Sequence, residues 1–258
     1  MILRDLHIHT NFCDGSAPPE EYIVSAIEKG MDCIGFTVHS YVPFDLDCCI
    51  AKERISEYKD LIKKLKDKYA GKIKVLCGVE QDYYSDESTD GYDYAIGSNH
   101  YFKTPGGEFL PLDLSVEVLD RICRDYFHGD YIALCADYYR TVSDIPRKNR
   151  CDIIGHFDLI TKFNEKCPSI DMLDERYVKA YTDAVKKLVK YNIPFEINTG
   201  AITRNYRTMP YPSEDVLKTV VKYGGKFIMS SDAHDPLNIA FGFEKYEKWA
   251  LDNGAVIV

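Results

Sequence analysis

Two histidines stand one residue apart near the start of the chain, in Leu6-His-Ile-His9. The surrounding run, residues 2–9, is rich in apolar side chains and predicts a β-strand. Because side chains alternate across a strand, the imidazoles of His7 and His9 point to the same side. Two imidazoles on one face form a chelating arrangement for a divalent metal ion. The pair alone fits surface polarity equally well, so the positions of the other histidines decide between the two readings.

Histidines and carboxylates also stand at the ends of the later predicted strands. These residues are His39, Glu80, His100, His156, Asp232 and His234. In a barrel of parallel strands all C-terminal strand ends meet at one face, where such proteins carry their active sites. A core holding six of the seven histidines without metal would have to satisfy every ring nitrogen. The sequence therefore predicts a metal centre, whereas His128 fits no such position and is predicted to be an ordinary loop or surface histidine.

Alternating strand and helix patterns predict the scaffold that positions these side chains. Predicted strands cover residues 2–9, 33–39, 74–80, 94–100, 152–156, 195–199 and 227–231, with a short run at 255–258. Helical spacing of apolar residues covers 19–29, 55–69, 174–191 and 213–223. This alternation favours a parallel sheet, and 258 residues is close to the roughly 250 typical of a closed α/β barrel.

The chain is predicted to form one domain over residues 1–258. The stretch 101–146 breaks the alternation with a Thr104-Pro-Gly-Gly107 turn and a tyrosine-rich, helical section. We interpret it as an insertion over one face of the barrel.

Composition narrows the function classes. A formal net charge of −9 disfavours a nucleic-acid partner, because such binding relies on Lys and Arg neutralising phosphates. An acidic protein can still bind a small phosphate where metal ions or a few cations make the electrostatic potential of the cleft positive.

The nine cysteines are scattered without C-x-x-C spacing and are expected to be reduced and mostly buried. No signal peptide or apolar run of 18 residues is present, so we expect a cytoplasmic protein without a membrane partner.

The motifs, taken in order, resemble those of the PHP (polymerase and histidinol phosphatase) family. They are H-x-H at 7–9, D-G at 14–15, T-x-H-S at 37–40, G-x-E at 78–80, G-S-x-H at 97–100, G-H at 155–156 and S-D-x-H at 231–234. The resemblance implies a distorted TIM-like barrel of seven strand and helix units. It also implies a metal-dependent phosphoesterase.

The resemblance further implies a trinuclear site for zinc, manganese or iron. One ion would be held by His7, His9, Glu80 and Asp232, a second by Glu80, His100 and His156 with Glu80 bridging, and a third by Asp14, His39 and His234. Many family members carry a histidine where Asp14 stands. Because an aspartate is a harder ligand, it favours manganese or iron over zinc at that position.

Within the family the sequence is most similar to the histidinol-phosphatase branch. The similarity lies in Gly155-His-Phe-Asp-Leu-Ile160 and in Glu196-Ile-Asn-Thr-Gly200, followed by two arginines and Tyr211-Pro-Ser213. It implies hydrolysis of L-histidinol phosphate to L-histidinol and phosphate in histidine biosynthesis. Two alternatives stay open: a PHP phosphoesterase for another small ester, nucleotide or nucleic-acid end, and a metal-binding barrel without catalysis.

Charged residues just beyond the site strands are candidates for phosphate binding. Arg204, Arg207 and Lys162 occupy such positions, and an arginine fork matches phosphate oxygens bidentately. Each of them also fits a solvated surface cation. Asp232 is a candidate to take a proton from the attacking water and return it to the leaving group. The sequence does not determine the native metal or the oligomeric state.

Overall fold

The computed structural model describes residues 3–258. Its strands are β1 (Arg4–Asp5), β2 (Cys33–His39), β3 (Lys74–Asp82), β4 (Tyr94–Ser98), β5 (Tyr101–Lys103), β6 (Phe109–Pro111), β7 (Ile153–Ile154), β8 (Phe195–Asn198) and β9 (Phe227–Ser230). Its helices are α1 (Pro19–Glu28), α2 (Ile55–Lys68), α3 (Val116–Phe127), α4 (Tyr131–Val142), α5 (Ile145–Lys148), α6 (Glu175–Leu188), α7 (Gly200–Thr203), α8 (Glu214–Lys222) and α9 (Phe243–Asp252).

Seven of the strands form one parallel sheet in the order β1-β2-β3-β4-β7-β8-β9. The two outer strands approach each other at a seam, where Ile8 pairs with Ala233 in a single parallel bridge. The His9 amide donates to the Ala233 carbonyl oxygen at 2.9 Å, and the Ala233 amide donates to the His7 carbonyl oxygen at 3.2 Å. The sheet is thus nearly closed, which confirms the predicted TIM-like barrel. A loop rather than a helix joins β3 to β4, so the barrel departs here from the regular alternation of strand and helix.

The helices bury their apolar faces against this sheet. In α2 the buried residues Tyr58, Ile62 and Leu65 recur at helical spacing, and the Tyr58 hydroxyl bonds to the carbonyl oxygens of Phe36 and Gly78, each at 3.1 Å. The central strands β2 and β4 are buried almost throughout because helices cover the outside and side chains fill the inside.

The stretch 101–146 holds a β5–β6 antiparallel hairpin followed by α3, α4 and the start of α5. Ser115 caps α3 by accepting from the Val118 amide, and Asp130 caps α4 by accepting from two amides. The segment is anchored beside the strand ends because the Leu112 amide donates to the His100 carbonyl oxygen at 2.8 Å. His128 lies exposed at the C-terminal end of α3.

Several predicted bounds differ from the structure. The first predicted strand begins at Ile2, which lies outside the described residues, and its regular part is only β1. The predicted strand at 255–258 is wrong, since Ile257 makes a single bridge to Phe227. Helix α9 is absent from the predicted helices. All nine cysteines are free and six are buried. Within residues 3–258 no helix has both the length and the apolar character needed to cross a bilayer.

Candidate metal centre

The histidines and acids singled out in the sequence meet at the C-terminal ends of the barrel strands. His39 is the last residue of β2 and pairs in register with Glu80 on β3. His100, His156 and Asp232 each follow the last residue of their strand by two positions. Eight of the nine side chains form three groups, and in each group the candidate ligand atoms lie within 4.8 Å of one another. The ninth, His156, contacts Glu80 directly.

The first group comprises His7, His9 and Asp232, all of them buried. The two Nε2 atoms of the histidines are 3.1 Å apart, and Asp232 Oδ1 lies 3.2 Å from His9 Nε2 and 3.6 Å from His7 Nε2. Burial, aided by the charges of His234 and His39, lowers the pKa of His9 to about 3. His9 is therefore the neutral imidazole that a metal ion requires.

Backbone conformation aims Asp232 into this group. Its φ of 50° lies in the left-handed region, which is uncommon for a residue other than glycine. Gly200 makes room for that turn, because a Cβ at Gly200 would lie 2.7 Å from the Asp232 Cβ. Such conformations persist only where the surrounding structure fixes them.

The second group comprises His39, Glu80 and His100. Glu80 lies at the middle of the whole cluster and is fully buried. Its Oε1 is 2.8 Å from His156 Nε2 and 3.3 Å from His100 Nε2. Its Oε2 is 2.9 Å from His39 Nδ1, and both His7 and His9 Nε2 lie within 3.5 Å. Burial would raise the pKa of Glu80, but the nearby histidines outweigh it and hold the pKa well below its usual range. The carboxylate can thus bridge two ions, one on each oxygen.

The third group comprises His9, Asp14, His39 and His234 and is more exposed to solvent. Asp14 Oδ2 lies 3.1 Å from His234 Nε2 and 3.6 Å from His39 Nε2, and Asp14 Oδ1 lies 3.5 Å from His9 Nδ1. Asp14 therefore stands where a ligand shared with His39 and His234 would stand. The observed groups differ from the expected assignment in three respects. His9 and His39 each belong to two groups. Glu80 is not part of the first group, although it lies within 3.5 Å of His7 and His9, and His156 is part of none, although it contacts Glu80 at 2.8 Å.

The residues present fit divalent metal ions. Glu80 Oε2 is buried without a hydrogen bond of good geometry, although imidazole nitrogens surround it. A buried carboxylate oxygen left without a donor is costly, and a cation between it and the imidazoles removes that cost. Imidazole nitrogen and carboxylate oxygen together suit zinc, manganese and iron.

The three candidate phosphate-binding cations have different surroundings. Arg204 lies in the cluster, with Nη2 3.0 Å from Asp232 Oδ2 and Nη1 2.8 Å from His234 Nδ1. Lys162 forms an ion pair with Asp113 at 3.0 Å on the side of the site that carries His100 and His156. Arg207 is buried, donates to Thr161 Oγ1 at 2.8 Å and lies over the ring of Tyr211. Arg204 thus contacts two of the candidate metal ligands, whereas Lys162 and Arg207 are paired with other neighbouring groups.

Two carboxylates that contact ligand histidines were not among the predicted site residues. Glu196 Oε1 lies 2.6 Å from His7 Nδ1, and Asp82 Oδ2 lies 3.2 Å from His100 Nδ1. A signal for both was present in the sequence. Asp82 shares a strand face with Glu80, and Glu196 is a charged residue between the apolar Phe195 and Ile197 of a predicted strand.

A parallel barrel with imidazole and carboxylate groups gathered at its C-terminal strand ends defines a metal-binding α/β barrel. The PHP domain model matches residues 5–200, and the chain belongs to this family.

Individual relatives agree with this assignment. A protein of Deinococcus radiodurans named probable histidinol-phosphatase is 29% identical over 98% of this chain and 94% of its own length. A crystal structure from Listeria monocytogenes superposes with a TM-score of 0.83 at 21% identity, covering 94% of this chain and 99% of that one. The histidinol phosphate phosphatase of Lactococcus lactis, crystallised with zinc, L-histidinol and phosphate, gives a TM-score of 0.70 at 21% identity, covering 100% of this chain and 95% of that one.

Proposed function

We propose that this protein is a metal-dependent phosphomonoesterase that hydrolyses L-histidinol phosphate to L-histidinol and phosphate in histidine biosynthesis. The observation that carries the proposal is the position of Arg204, which places a cation suited to phosphate binding against two of the candidate metal ligands, Asp232 and His234. The relatives support the substrate: one is named for this activity, and the Lactococcus lactis structure holds the alcohol product together with phosphate.

The proposed centre holds three divalent ions, which are zinc, manganese or iron. His7, His9, Glu80 and Asp232 hold the first, Glu80, His100 and His156 the second, and Asp14, His39 and His234 the third. The central position of Glu80 supports bridging, because its two oxygens face different sets of imidazoles. Asp14 supplies a hard oxygen ligand on the solvent side, which favours manganese or iron there.

When bound, such ions activate water and neutralise phosphoryl charge. The Arg204 guanidinium donates to the phosphoryl oxygens and orients the ester over the cluster. Asp232 accepts a proton from the attacking water and returns it to the departing alkoxide oxygen. Burial opposes the ionised form of Asp232, but Arg204 and His7 outweigh it and hold its pKa well below the usual range. The carboxylate is therefore ionised, as a proton acceptor must be, while its lowered pKa makes it a weaker base than a free aspartate.

Lys162 and Arg207 are the further proposed phosphate contacts. Lys162 is held by the side chain and the backbone carbonyl of Asp113, so its ammonium group has a defined position beside the strand ends. Arg207 is fixed by Thr161 and Tyr211 and would need to direct a remaining N–H of its guanidinium toward the ester. Kinetic comparison of Lys162→Met and Arg207→Met, each with its metal content measured, tests these two roles.

The test of the function is phosphate release after chelation and re-addition of manganese, zinc or iron. L-Histidinol phosphate is compared with p-nitrophenyl phosphate, a nucleoside monophosphate and a phosphodiester. We expect metal-restored turnover with the highest kcat/KM for L-histidinol phosphate. Turnover restricted to the other esters would move the protein to another substrate, and absence of metal-restored turnover on every ester would reject catalysis.

A further inference from the structure

Glu196 is a fully buried carboxylate on β8 that belongs to none of the three groups of ligands. Its Oε1 lies 2.6 Å from His7 Nδ1, the ring nitrogen that faces away from the cluster. The other nitrogen, Nε2, lies 3.1 Å from His9 Nε2 and 3.4 Å from Glu80 Oε2. One imidazole therefore connects the buried carboxylate to the centre of the ligand cluster.

The second oxygen of Glu196 accepts two hydrogen bonds. Oε2 accepts from the backbone amide of His156 at 2.9 Å and from Asn198 Nδ2 at 3.1 Å. Both partners can only donate, so Oε2 acts as an acceptor twice. With the carboxylate held ionised by these donors, the short contact to His7 is a hydrogen bond from Nδ1–H to Oε1. The Nδ1 proton of His7 then lies toward Glu196, which leaves Nε2 as the ring nitrogen that faces the cluster and would bind a metal ion.

We propose that Glu196 is a positioning residue of the metal centre: it fixes the His7 tautomer and ring orientation so that the Nε2 lone pair faces the first ion. A carboxylate that accepts from a ligand histidine also makes that histidine a stronger donor to metal. The inference rests on the metal centre and is independent of which phosphate ester is the substrate.

The contacts of Glu196 also explain why its effect should extend beyond one ligand. His156, whose amide donates to Glu196, places its own Nε2 2.8 Å from Glu80 Oε1. Asn198, the other donor, also approaches Asp232 Oδ2 at 3.4 Å. Glu196 thus contacts segments that carry proposed ligands of the first and the second ion. The ligand side chain that it contacts directly is His7, at the first ion.

Glu196→Gln is the informative variant because it keeps the side-chain volume while removing one acceptor. Whichever way the amide is turned, its NH₂ group meets either the His7 Nδ1–H or the two donors at Oε2. We expect about a 10- to 100-fold weaker affinity for one metal equivalent, the range usual for such outer carboxylates. Affinity is measured by zinc and manganese titration against a chromophoric chelator, so no substrate enters the measurement.

A second readout reports the tautomer directly. In the zinc-loaded protein, ¹⁵N-resolved NMR of the histidine side chains should show a hydrogen-bonded Nδ1–H on His7, and this signal should be lost or displaced in Glu196→Gln. Should the glutamine variant fail to fold, Glu196→Asp keeps the charge but withdraws the oxygen from His7, and the same weakening is expected.

Asp158→Asn is the matched control. Asp158 is equally buried, and its Oδ2 accepts from the Ser213 amide and faces Arg207. We expect this variant to lose stability while binding metal as the wild type does. Wild-type affinity with an unchanged His7 signal in the Glu196 variants would overturn the proposal, as would an equal loss of affinity in Asp158→Asn. Failure of L-histidinol phosphate as a substrate would instead leave it standing.

Discussion

Arg204 Nη2 lies 3.0 Å from Asp232 Oδ2, so a partly buried cation is paired with a residue of the first ligand group. The opposite oxygen, Oδ1, faces His7 and His9. Asp232 therefore has one oxygen toward the imidazoles and one toward the arginine. This arrangement places the guanidinium group of Arg204 beside the candidate metal ligands, where it would reach an ester bound to the proposed ions, and it restricts how the guanidinium group can turn.

Replacing Arg204 should impair phosphate handling more than metal binding. Removing two charge-assisted hydrogen bonds costs on the order of 3 kcal/mol, which corresponds to about a 100-fold lower kcat/KM for the phosphate ester in Arg204→Met. Arg204→Lys should recover part of the loss, because it restores the charge but not the fork. Steady-state kinetics at saturating metal measure the effect, with metal content determined on the same samples. A methionine variant within threefold of the wild type would show that Arg204 does not bind the ester.

Glu80→Gln should remove more than one ion from the centre. The carboxylate contacts imidazoles of all three groups through its two oxygens, and a neutral amide offers one weaker oxygen and an NH₂ that faces His ring nitrogens. We expect metal content to fall and turnover to drop by at least about 1,000-fold, since such catalysis depends on the ions. Elemental analysis and phosphate release measure the two effects. Glu87→Gln, a glutamate paired with Lys52 at the surface, is the control and should retain both.

The seven-stranded barrel and the convergence of the histidines were predictable because both rest on local signals. Apolar runs that end in histidine or a carboxylate identify the strand and its C-terminal end together, as in β2 with His39. Parallel packing then brings those ends together without further information. Helix α9 was missed although its buried residues Phe243, Tyr246 and Ala250 follow helical spacing.

What the sequence did not reveal depends on contacts between residues far apart in the chain. Glu196 meets His7 across 189 positions, so the strand pattern shows that Glu196 is unusual but not which side chain it contacts. Arg204 and Arg207 are three residues apart and equivalent by motif. The short helix α7 and the turn after it direct the first to Asp232 and the second to Thr161. Which side chain each arginine contacts depends on three-dimensional packing, and the periodicity of the sequence does not reveal it.

Removing the metals should lower the thermal stability of the protein. The cluster buries carboxylates and imidazoles around Glu80, and ions that bind only the folded chain stabilise it by mass action. At free metal about 1,000-fold above Kd this is roughly 4 kcal/mol, or on the order of 10 °C in Tm for a chain of this size. Thermal unfolding in chelator and in excess manganese checks the shift. Coincident unfolding curves would argue against a metal centre in the barrel.

Asp5 should stabilise the barrel at its seam. Its buried carboxylate accepts from the Ser231 amide at 3.1 Å and from the Ala240 amide at 3.0 Å, and so links β1 to the chain that follows β9. Asp5→Asn places an NH₂ group against at least one of these donors, so we expect the free energy of unfolding to fall by about 1–3 kcal/mol. Denaturant unfolding of the metal-free protein measures the change. In the control Asp152→Asn, a more exposed carboxylate that accepts from the Ala95 amide, the loss should be smaller because water can replace the bond. An Asp5→Asn protein as stable as the wild type would mean that the strands β1 and β9 hold together without this carboxylate.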